Sequence, residues 1–121
     1  MANIIKWCSL IIDVLHKNGL RHVCISPGSR NTPLSLAFLN HKDINCYSHL
    51  DERSAGFFGL GIAMKTNSPT AVICTSGTAV ANLLPSVIEA DLNRIPLLII
   101  SADRPHSLIG SGENQTINQT N

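Results

Sequence analysis

Helical and strand-like patterns alternate along this chain of 121 residues. Apolar side chains recur at helical spacing between residues 4 and 15, and Asn18 followed by Gly19 then favours the end of a helix. Short apolar runs bounded by polar residues predict buried strands at residues 23–25, 44–48, 71–74 and 97–101. Further helices are predicted at residues 32–40, 52–65 and 78–92, and an irregular polar tail begins at residue 106.

Polar residues mark the starts of the predicted helices. Thr32, which is followed by Pro33, is predicted to cap one helix, because proline is well tolerated in the first helical turn. Asp51 is predicted to cap the next helix. The core-facing side of that helix is predicted to carry Ala55, Phe58 and Ile62.

The predicted strands are apolar almost throughout, which is typical of strands buried on both faces. Because helices alternate with these strands, the pattern predicts an α/β fold, a parallel sheet with helices on both faces. A chain of 121 residues fits a single domain. Since 44% of the residues are hydrophobic but only 4% are aromatic, we expect an aliphatic core. The pattern does not determine the order of the strands.

Composition and spacing exclude several classes of function. A net charge of +1 without a basic stripe gives no indication of nucleic-acid binding. Lys6 and Asp13 interrupt the first apolar segment, so we expect neither a signal peptide nor a membrane span. The four cysteines form no CxxC pair, and the three within apolar runs are expected to be buried, reduced thiols. The five histidines lack metal-ligand spacing, so we expect no metal ligands in this chain. Without an expected signal peptide or membrane span, we expect a cytoplasmic protein.

Every predicted strand leads into a polar cluster, at residues 26–32, 49–53, 75–78 and 102–105. Ligands of parallel sheets bind beyond the carboxyl ends of the strands. Gly28 and Gly77 permit close approach of a backbone, while Arg30 and Arg104 match the geometry of carboxylates. We therefore predict a site for an anionic ligand at this edge, although any single cluster is better explained by ordinary caps and turns.

Familiar reaction motifs fit poorly. The stretch around Ser76 lacks the preceding glycine of a nucleophile elbow, and the sequence has no GxxxxGK[ST] loop for phosphates. Gly56, Gly59 and Gly61 lie inside a predicted helix, where they favour close packing rather than a dinucleotide-binding turn.

Taken together, the polar stretches resemble one enzyme family. They are Ser-Pro-Gly-Ser-Arg-Asn-Thr-Pro-Leu at 26–34, Asp-Glu-Arg-Ser-Ala-Gly at 51–56, Thr-Ser-Gly-Thr-Ala-Val-Ala-Asn-Leu at 75–83, Ser-Ala-Asp-Arg-Pro at 101–105 and Gly-Glu-Asn-Gln-Thr-Ile at 112–117. In this order they resemble the N-terminal domain of the 2-succinyl-5-enolpyruvyl-6-hydroxy-3-cyclohexene-1-carboxylate synthases. These are thiamine diphosphate enzymes of menaquinone and phylloquinone biosynthesis.

The resemblance implies a pyrimidine-domain fold and a carboligase that decarboxylates 2-oxoglutarate and adds the succinic semialdehyde unit to isochorismate. Glu52 would be catalytic, through contact with the aminopyrimidine ring nitrogen, although without the resemblance it is equally explained as a first-turn glutamate that favours the helix dipole. The other residues implied to lie beside the cofactor are Thr75, Ser76, Gly77, Thr78 and Asn82. Those implied to contact the substrates are Ser29, Arg30, Arg104, Asn114 and Gln115.

The resemblance also implies further domains, one of which binds the diphosphate through Mg²⁺ and contains a Gly-Asp-Gly stretch. Because residues 1–121 contain no such stretch, we expect them to be the N-terminal part of a truncated pyrimidine-binding domain, inactive alone. At full length we expect a homodimer or homotetramer. Two alternatives stay open: another thiamine diphosphate carboligase such as an acetohydroxyacid synthase, and a non-catalytic carboxylate-binding module.

Overall fold

The computed structural model describes residues 2–118. Helices and strands alternate along this range, as the sequence predicts. The helices are α1 (Ala2–Lys17), α2 (Thr32–Leu39), α3 (Glu52–Thr66), α4 (Thr78–Ala81) and α5 (Leu84–Leu92), with a 3₁₀ turn at His106–Leu108. The strands are β1 (His22–Ile25), β2 (Asn45–Ser48), β3 (Thr70–Cys74) and β4 (Leu97–Ser101).

The strands form a parallel sheet in the order β2-β1-β3-β4. His22 is paired with Asn45 on one side and with Thr70 on the other, and Thr70 is paired in turn with Leu97. The predicted parallel sheet is therefore confirmed. Since parallel strands end at the same edge, the polar loops that follow them are brought to one rim of the sheet.

Successive strand residues face opposite layers, which explains why the central strands β1 and β3 are apolar almost throughout, whereas the edge strand β2 is partly exposed. One face packs against α1 and α2; its core includes Val23, Ile25, Ala71, Ile73, Ile12 and Phe38. The other face packs against α3 and the α4–α5 region; its core includes Cys24, Val72, Cys74, Ala55 and Leu83. Helices therefore cover both faces of the sheet, as predicted.

The buried side of α3 differs from the prediction. Ala55 is fully buried as expected, but Phe58 is 45% exposed. The helix instead buries small residues, including Gly56 and Gly59, against its neighbours. A Cβ added at Gly59 would lie 3.1 Å from Val72 Cγ2, so the absence of side chains lets the helix axis approach the sheet. An apolar-periodicity argument overlooks this kind of packing because glycine adds nothing to the pattern.

The single helix predicted for residues 78–92 is wrong, because α4 ends at Ala81 and α5 begins at Leu84. Pro85 explains the break. In a continuous helix its ring would collide with the carbonyl of Ala81 and it could donate no N–H, whereas in the first turn of a new helix neither penalty arises. The interruption places Asn82 at the junction and buries Leu83 in the core.

One predicted cap is also corrected, while the cap at Asp51 is confirmed by the hydrogen bond that its carboxylate accepts from Arg53 N at 2.8 Å. Asn31, not Thr32, precedes α2, and the Thr32 hydroxyl donates to the Gly28 carbonyl at 3.2 Å instead. Loop geometry at the rim, rather than local capping preference, sets this boundary. Gly77 precedes α4 with φ of 75°.

All four cysteines are free. Of the three in apolar strand runs, Cys24 and Cys74 are buried as expected, whereas Cys46 is only partly buried because it lies on the edge strand β2. Burial raises the pKa of Cys24 to about 12. Burial, with a smaller contribution from the negative charge of Glu52, raises the pKa of Cys74 to about 11. Across residues 2–118, no helix has both the length and the apolar character needed to cross a membrane.

Candidate active site

The loops after β1 and β3 are in close contact at the centre of the rim. A Cβ added at Gly28 would lie 2.7 Å from Thr75 Cβ and 3.1 Å from Asn31 Oδ1, so only glycine fits without displacing a neighbour. Asn31 is fully buried and its amide donates to the Ser26 carbonyl at 2.9 Å. These contacts hold the 26–32 loop in a fixed shape at the point where the sheet reverses its strand order.

Glu52 lies at the start of α3 and forms a side-chain hydrogen bond with Asn82. The Asn82 amide Nδ2 donates to Glu52 Oε2 at 3.1 Å. The other carboxylate oxygen, Oε1, accepts no hydrogen bond within residues 2–118. Glu52 also lies near enough to Cys74 to contribute to the raised pKa of that thiol. The site thus presents a partly buried carboxyl with one oxygen held and the other available.

Arg104 is the most deeply buried of the predicted substrate residues, with a side chain only 7% exposed. Its Nη2 donates to the Asn114 carbonyl at 2.8 Å, and its Nη1 lies 3.8 Å from a carboxylate oxygen of Glu113. Nη1 is buried and has no hydrogen-bond partner among the described residues. A buried guanidinium with an unmatched N–H is a strong potential donor for a carboxylate.

Residues 113–116 of the tail lie over the loop that follows β3. The Gln115 carbonyl accepts a hydrogen bond from Thr78 N at 3.0 Å. The same oxygen lies so close to Gly77 that a Cβ there would overlap with it. Asn114 and Gln115 make these contacts through backbone carbonyls, while both residues are exposed. The tail is therefore anchored to the rim through its main chain, and both side chains are available for a ligand.

A cavity of about 710 Å³ lies between the tail and the loop after β4. Its wall combines the predicted residues Gly77 and Arg104 with residues not predicted from sequence. The latter include Asp103, His106, Ile109, Thr116 and Ile117. A volume of this size suits a small organic ligand.

Ser29 and Arg30 lie on the loop after β1 but are not joined to the residues around Arg104. Ser29 is exposed and Arg30 is partly exposed. Within the described part of the chain, neither forms a hydrogen bond or an ion pair with another predicted site residue. The structure thus brings Glu52 to Asn82, and Arg104 to the tail, as two separate groups on one rim.

The loop at residues 75–78 is predicted from sequence to lie beside the cofactor. It is more buried than is expected for a loop that lines a ligand site. Thr75 is 6% exposed and Ser76 is 3% exposed. The hydroxyls of Ser26 and Ser76, and the Asn31 Oδ1 atom, are buried without a hydrogen-bond partner among residues 2–118. Sequence reasoning assigned no role to Ser26 or Asn31, because a serine or asparagine after a strand looks like an ordinary turn residue.

Two charged residues near the site have structural partners. Arg53 hydrogen-bonds to the Asp51 carboxylate, and this contact lowers the pKa of Asp51. The Asp103 carboxylate accepts from Arg104 N at 2.7 Å and so fixes the turn after β4. Within residues 2–118, no group of three or more His, Cys, Asp or Glu side chains is arranged to hold a metal ion.

The chain resembles known proteins over almost its entire length. A family model described as "Thiamine pyrophosphate enzyme, N-terminal TPP binding domain" matches residues 5–121. A 2-succinyl-5-enolpyruvyl-6-hydroxy-3-cyclohexene-1-carboxylate synthase of Roseiflexus castenholzii is 56% identical over 95% of the chain and 20% of its own length. Proteins of the same name from Haloarcula marismortui and Aliivibrio fischeri are 55% and 56% identical over 93% of the chain.

The chain spans about a fifth of the length of these relatives. The match nevertheless covers every element of the described fold except the first residues of α1, together with each rim loop. The chain therefore belongs to the family described as thiamine pyrophosphate enzyme, N-terminal TPP binding domain.

Proposed function

We propose that the full-length protein containing this chain is a thiamine diphosphate-dependent carboligase. It would decarboxylate 2-oxoglutarate and add the resulting succinic semialdehyde unit to isochorismate, in menaquinone or phylloquinone biosynthesis. The observation that carries the proposal is identity of 55–56% across nearly the whole chain with synthases of that name. The rim geometry is compatible with this reaction, because it offers the Glu52 carboxyl group, the buried guanidinium of Arg104 and the partly exposed guanidinium of Arg30.

Glu52 is proposed as the catalytic residue that contacts the pyrimidine ring nitrogen of the cofactor. Bound thiamine diphosphate would supply the nucleophilic carbon at which the 2-oxo acid loses carbon dioxide. Glu52 fits this role because Oε1 is available while Oε2 is held at a hydrogen-bonding distance of 3.1 Å from Asn82. A carboxyl group in such a position can exchange a proton with a ring nitrogen.

The loop at residues 75–78 is proposed to lie beside the cofactor. Thr75, Ser76 and Gly77 are buried, so their contribution would come from backbone groups and from shape. The buried Ser76 hydroxyl has no hydrogen-bond partner among residues 2–118, which is consistent with a hydrogen bond to the bound cofactor. Thr78 is partly exposed, and its N–H is occupied by Gln115.

The substrate carboxylates are proposed to contact the arginine groups of the rim. The buried Nη1 group of Arg104 has no hydrogen-bond partner among residues 2–118. Arg30 presents a partly exposed guanidinium on the loop after β1. Two cationic groups suit substrates that each carry carboxylates. The exposed side chains of Ser29, Asn114 and Gln115 would add neutral hydrogen bonds.

The remaining parts of the proposal concern the whole protein. Mg²⁺ would be held by another domain, and the protein would be a cytoplasmic homodimer or homotetramer. Both helical layers expose large apolar side chains, for example Trp7 at 67% and Leu92 at 72%. Apolar exposure on this scale is consistent with further protein packing against the domain.

The test is an assay of the full-length protein with thiamine diphosphate and Mg²⁺. We expect release of carbon dioxide and formation of a carboligation product only when both 2-oxoglutarate and isochorismate are supplied. A Glu52→Gln variant should lose about 10²–10⁴-fold in kcat, the range typical of a positioned acid or base. Lys42, an exposed residue outside the site, provides the matched control through Lys42→Gln.

Three results would contradict the proposal. Condensation of two pyruvate molecules in preference to the named substrates would identify an acetohydroxyacid synthase-like enzyme. Tight binding of a dicarboxylate without any turnover would indicate a binding module. Normal turnover by Glu52→Gln would remove the role given to Glu52.

A further inference from the structure

We propose that Asn82 is a positioning residue that holds Glu52 and determines which of its two carboxyl oxygens exchanges a proton. This inference rests on the proposed function, because it assigns a task to the same carboxyl group. Asn82 would then not be a cofactor ligand in its own right, as the sequence resemblance implies, but would act through Glu52.

The hydrogen bond from Asn82 to Glu52 joins segments that are distant in sequence. Asn82 Nδ2 donates to Oε2 at 3.1 Å, and both side chains are partly buried at the rim. An unrestrained glutamate has several rotamers, and ordering it costs free energy when a ligand binds. A bond formed beforehand to one oxygen removes much of that cost.

The surrounding packing explains why Asn82 lies where it does. Gly56 follows Glu52 by one helical turn, so the two residues share a face of α3. A Cβ at Gly56 would overlap with Ser86 Oγ and would lie 3.1 Å from Leu83 Cδ2. The α4–α5 junction is therefore pressed against this face of α3, and Asn82, immediately before the buried Leu83, reaches the carboxyl group.

Asn82 is also fixed from its own backbone. Its N–H donates to the Thr78 carbonyl at 3.0 Å, and the N–H of the next residue, Leu83, donates to the Val80 carbonyl at 3.1 Å, so both are bonded to α4. Because Pro85 prevents α4 from continuing into α5, the junction is a defined turn rather than a flexible helix end. The amide is thus presented by a rigid part of the fold.

The neutral amide of Asn82 affects proton exchange at Glu52 differently from a charged partner. An amide N–H can donate to Oε2 whether the Glu52 carboxyl is ionised or protonated. With Oε2 occupied as an acceptor, the proton of the acid is directed to Oε1. A lysine at this position would instead favour the ionised state strongly and oppose proton exchange.

The inference can be tested by a double-mutant cycle on the full-length protein, with the dissociation constant of thiamine diphosphate in the presence of Mg²⁺ as the readout. Isothermal titration calorimetry measures this constant without any turnover. We expect Asn82→Ala to weaken cofactor binding by about 10-fold, the lower part of the range for hydrogen bonds to charged groups. In a Glu52→Ala background, which removes the acceptor oxygen, the same substitution should have almost no further effect, because residues that act as one unit are not additive.

The isosteric variant Asn82→Asp provides a second measurement. It keeps the shape of the side chain but places a second carboxyl group beside Glu52, so cofactor binding should be weaker than in Asn82→Ala at neutral pH and should recover as the pH is lowered. A purely structural role would give no such pH dependence. Asn93→Ala is the matched control, because Asn93 follows α5 as Asn82 follows α4, but its amide bonds only to Glu89. This control should leave the dissociation constant unchanged.

The outcomes separate the two proposals. If Glu52→Ala weakens binding and the effect of Asn82→Ala is fully additive to it, the positioning role is overturned while the role of Glu52 stands. If Glu52→Gln has no effect on binding or turnover, the proposed function of Glu52 fails, and the role of Asn82 fails with it.

Discussion

Gly77 is the residue at which the backbone of the rim is most constrained. It has φ of 75°, a conformation that L-residues rarely adopt, and a Cβ there would overlap with the Gln115 carbonyl oxygen. The N–H of the next residue, Thr78, donates to that same oxygen. Any side chain at position 77 must therefore both strain its own backbone and displace the tail.

We expect Gly77→Ala to destabilise the folded state and to release the tail from the rim. Gly112→Ala is the matched control, since Gly112 has φ of 74° but no atom within 4 Å of an added Cβ. Both positions have positive φ, so both variants strain the backbone, and we expect Gly77→Ala to be the more destabilising by about 1–3 kcal/mol because of the additional overlap. Chemical denaturation gives the free energies of unfolding, and limited proteolysis reports exposure of residues 102–118. Equal destabilisation by the two variants would mean that the tail does not press on Gly77.

Individual site residues could be predicted from sequence only as far as family motifs reach. Glu52 and Arg104 are recognised because each lies in a distinctive stretch that follows a strand. The hydrogen bonds that these two residues form could not be predicted. Asn82 is 30 residues from Glu52, and Arg104 binds the backbone carbonyl of Asn114 in the irregular tail. Ser26 and Asn31 lie in the 26–34 stretch, but their burial could not be predicted, since burial of a short polar side chain depends on the packing of the completed rim.

Among the secondary-structure elements, α3 shows how small residues determine packing. Gly56 lies against Ser86 and Leu83 of the α4–α5 region, whereas Gly61 faces open space on the same helix. The two glycines have the same helical conformation but opposite surroundings. Alanine substitutions at these two positions therefore separate the effect of helix propensity from the effect of close packing on stability.

We expect Gly61→Ala to raise the free energy of unfolding by about 0.5–1 kcal/mol, because alanine favours a helix more than glycine does. Gly56→Ala should instead lower it by about 1–3 kcal/mol, because the new methyl group overlaps with Ser86 Oγ. Equilibrium denaturation of the two variants and the parent protein provides the comparison. Should both substitutions stabilise the protein, α3 and the α4–α5 region would not be as closely packed as described.

The elements themselves were largely predictable, and the exceptions have physical causes. All four strands are found at the predicted places, and the central strands β1 and β3 are apolar because both of their faces are buried. The continuous helix at 78–92 was wrong because apolar periodicity continues through Pro85, although the backbone cannot. The strand order β2-β1-β3-β4 could not be predicted, because it depends on which face each connecting helix covers.

At the scale of the whole molecule, two of the buried thiols, Cys24 and Cys74, link stability to pH most strongly. Burial raises the pKa of Cys24 to about 12 and that of Cys74 to about 11, above the ordinary value of 9.0. In the unfolded chain both thiols ionise near pH 9, while in the folded chain they remain protonated. Above that pH the unfolded state therefore binds fewer protons than the folded state, and the free energy of unfolding falls as pH rises.

We expect this loss to begin near pH 9, to continue towards pH 11 to 12, and to be absent below pH 8. Each thiol contributes at most about 1.4 kcal/mol per pH unit. Denaturation at a series of pH values measures the slope, and a Cys24→Ala, Cys74→Ala double variant should have a shallower one. An unchanged slope in that variant would show that other groups control stability in alkaline solution.

The attachment of the tail through main-chain carbonyls has a consequence for how this site can evolve. Asn114 and Gln115 each bind the rim with a backbone oxygen, which every amino acid possesses, while their side chains are exposed. Selection for a different ligand can therefore exchange the Asn114 side chain without loosening the segment that carries it. Gln115 has φ of 62°, which favours glycine, asparagine or aspartate as replacements, so its side chain is less free to change. At Asn114, ligand preference and attachment of the tail depend on different atoms of one residue, so one can change while the other is conserved.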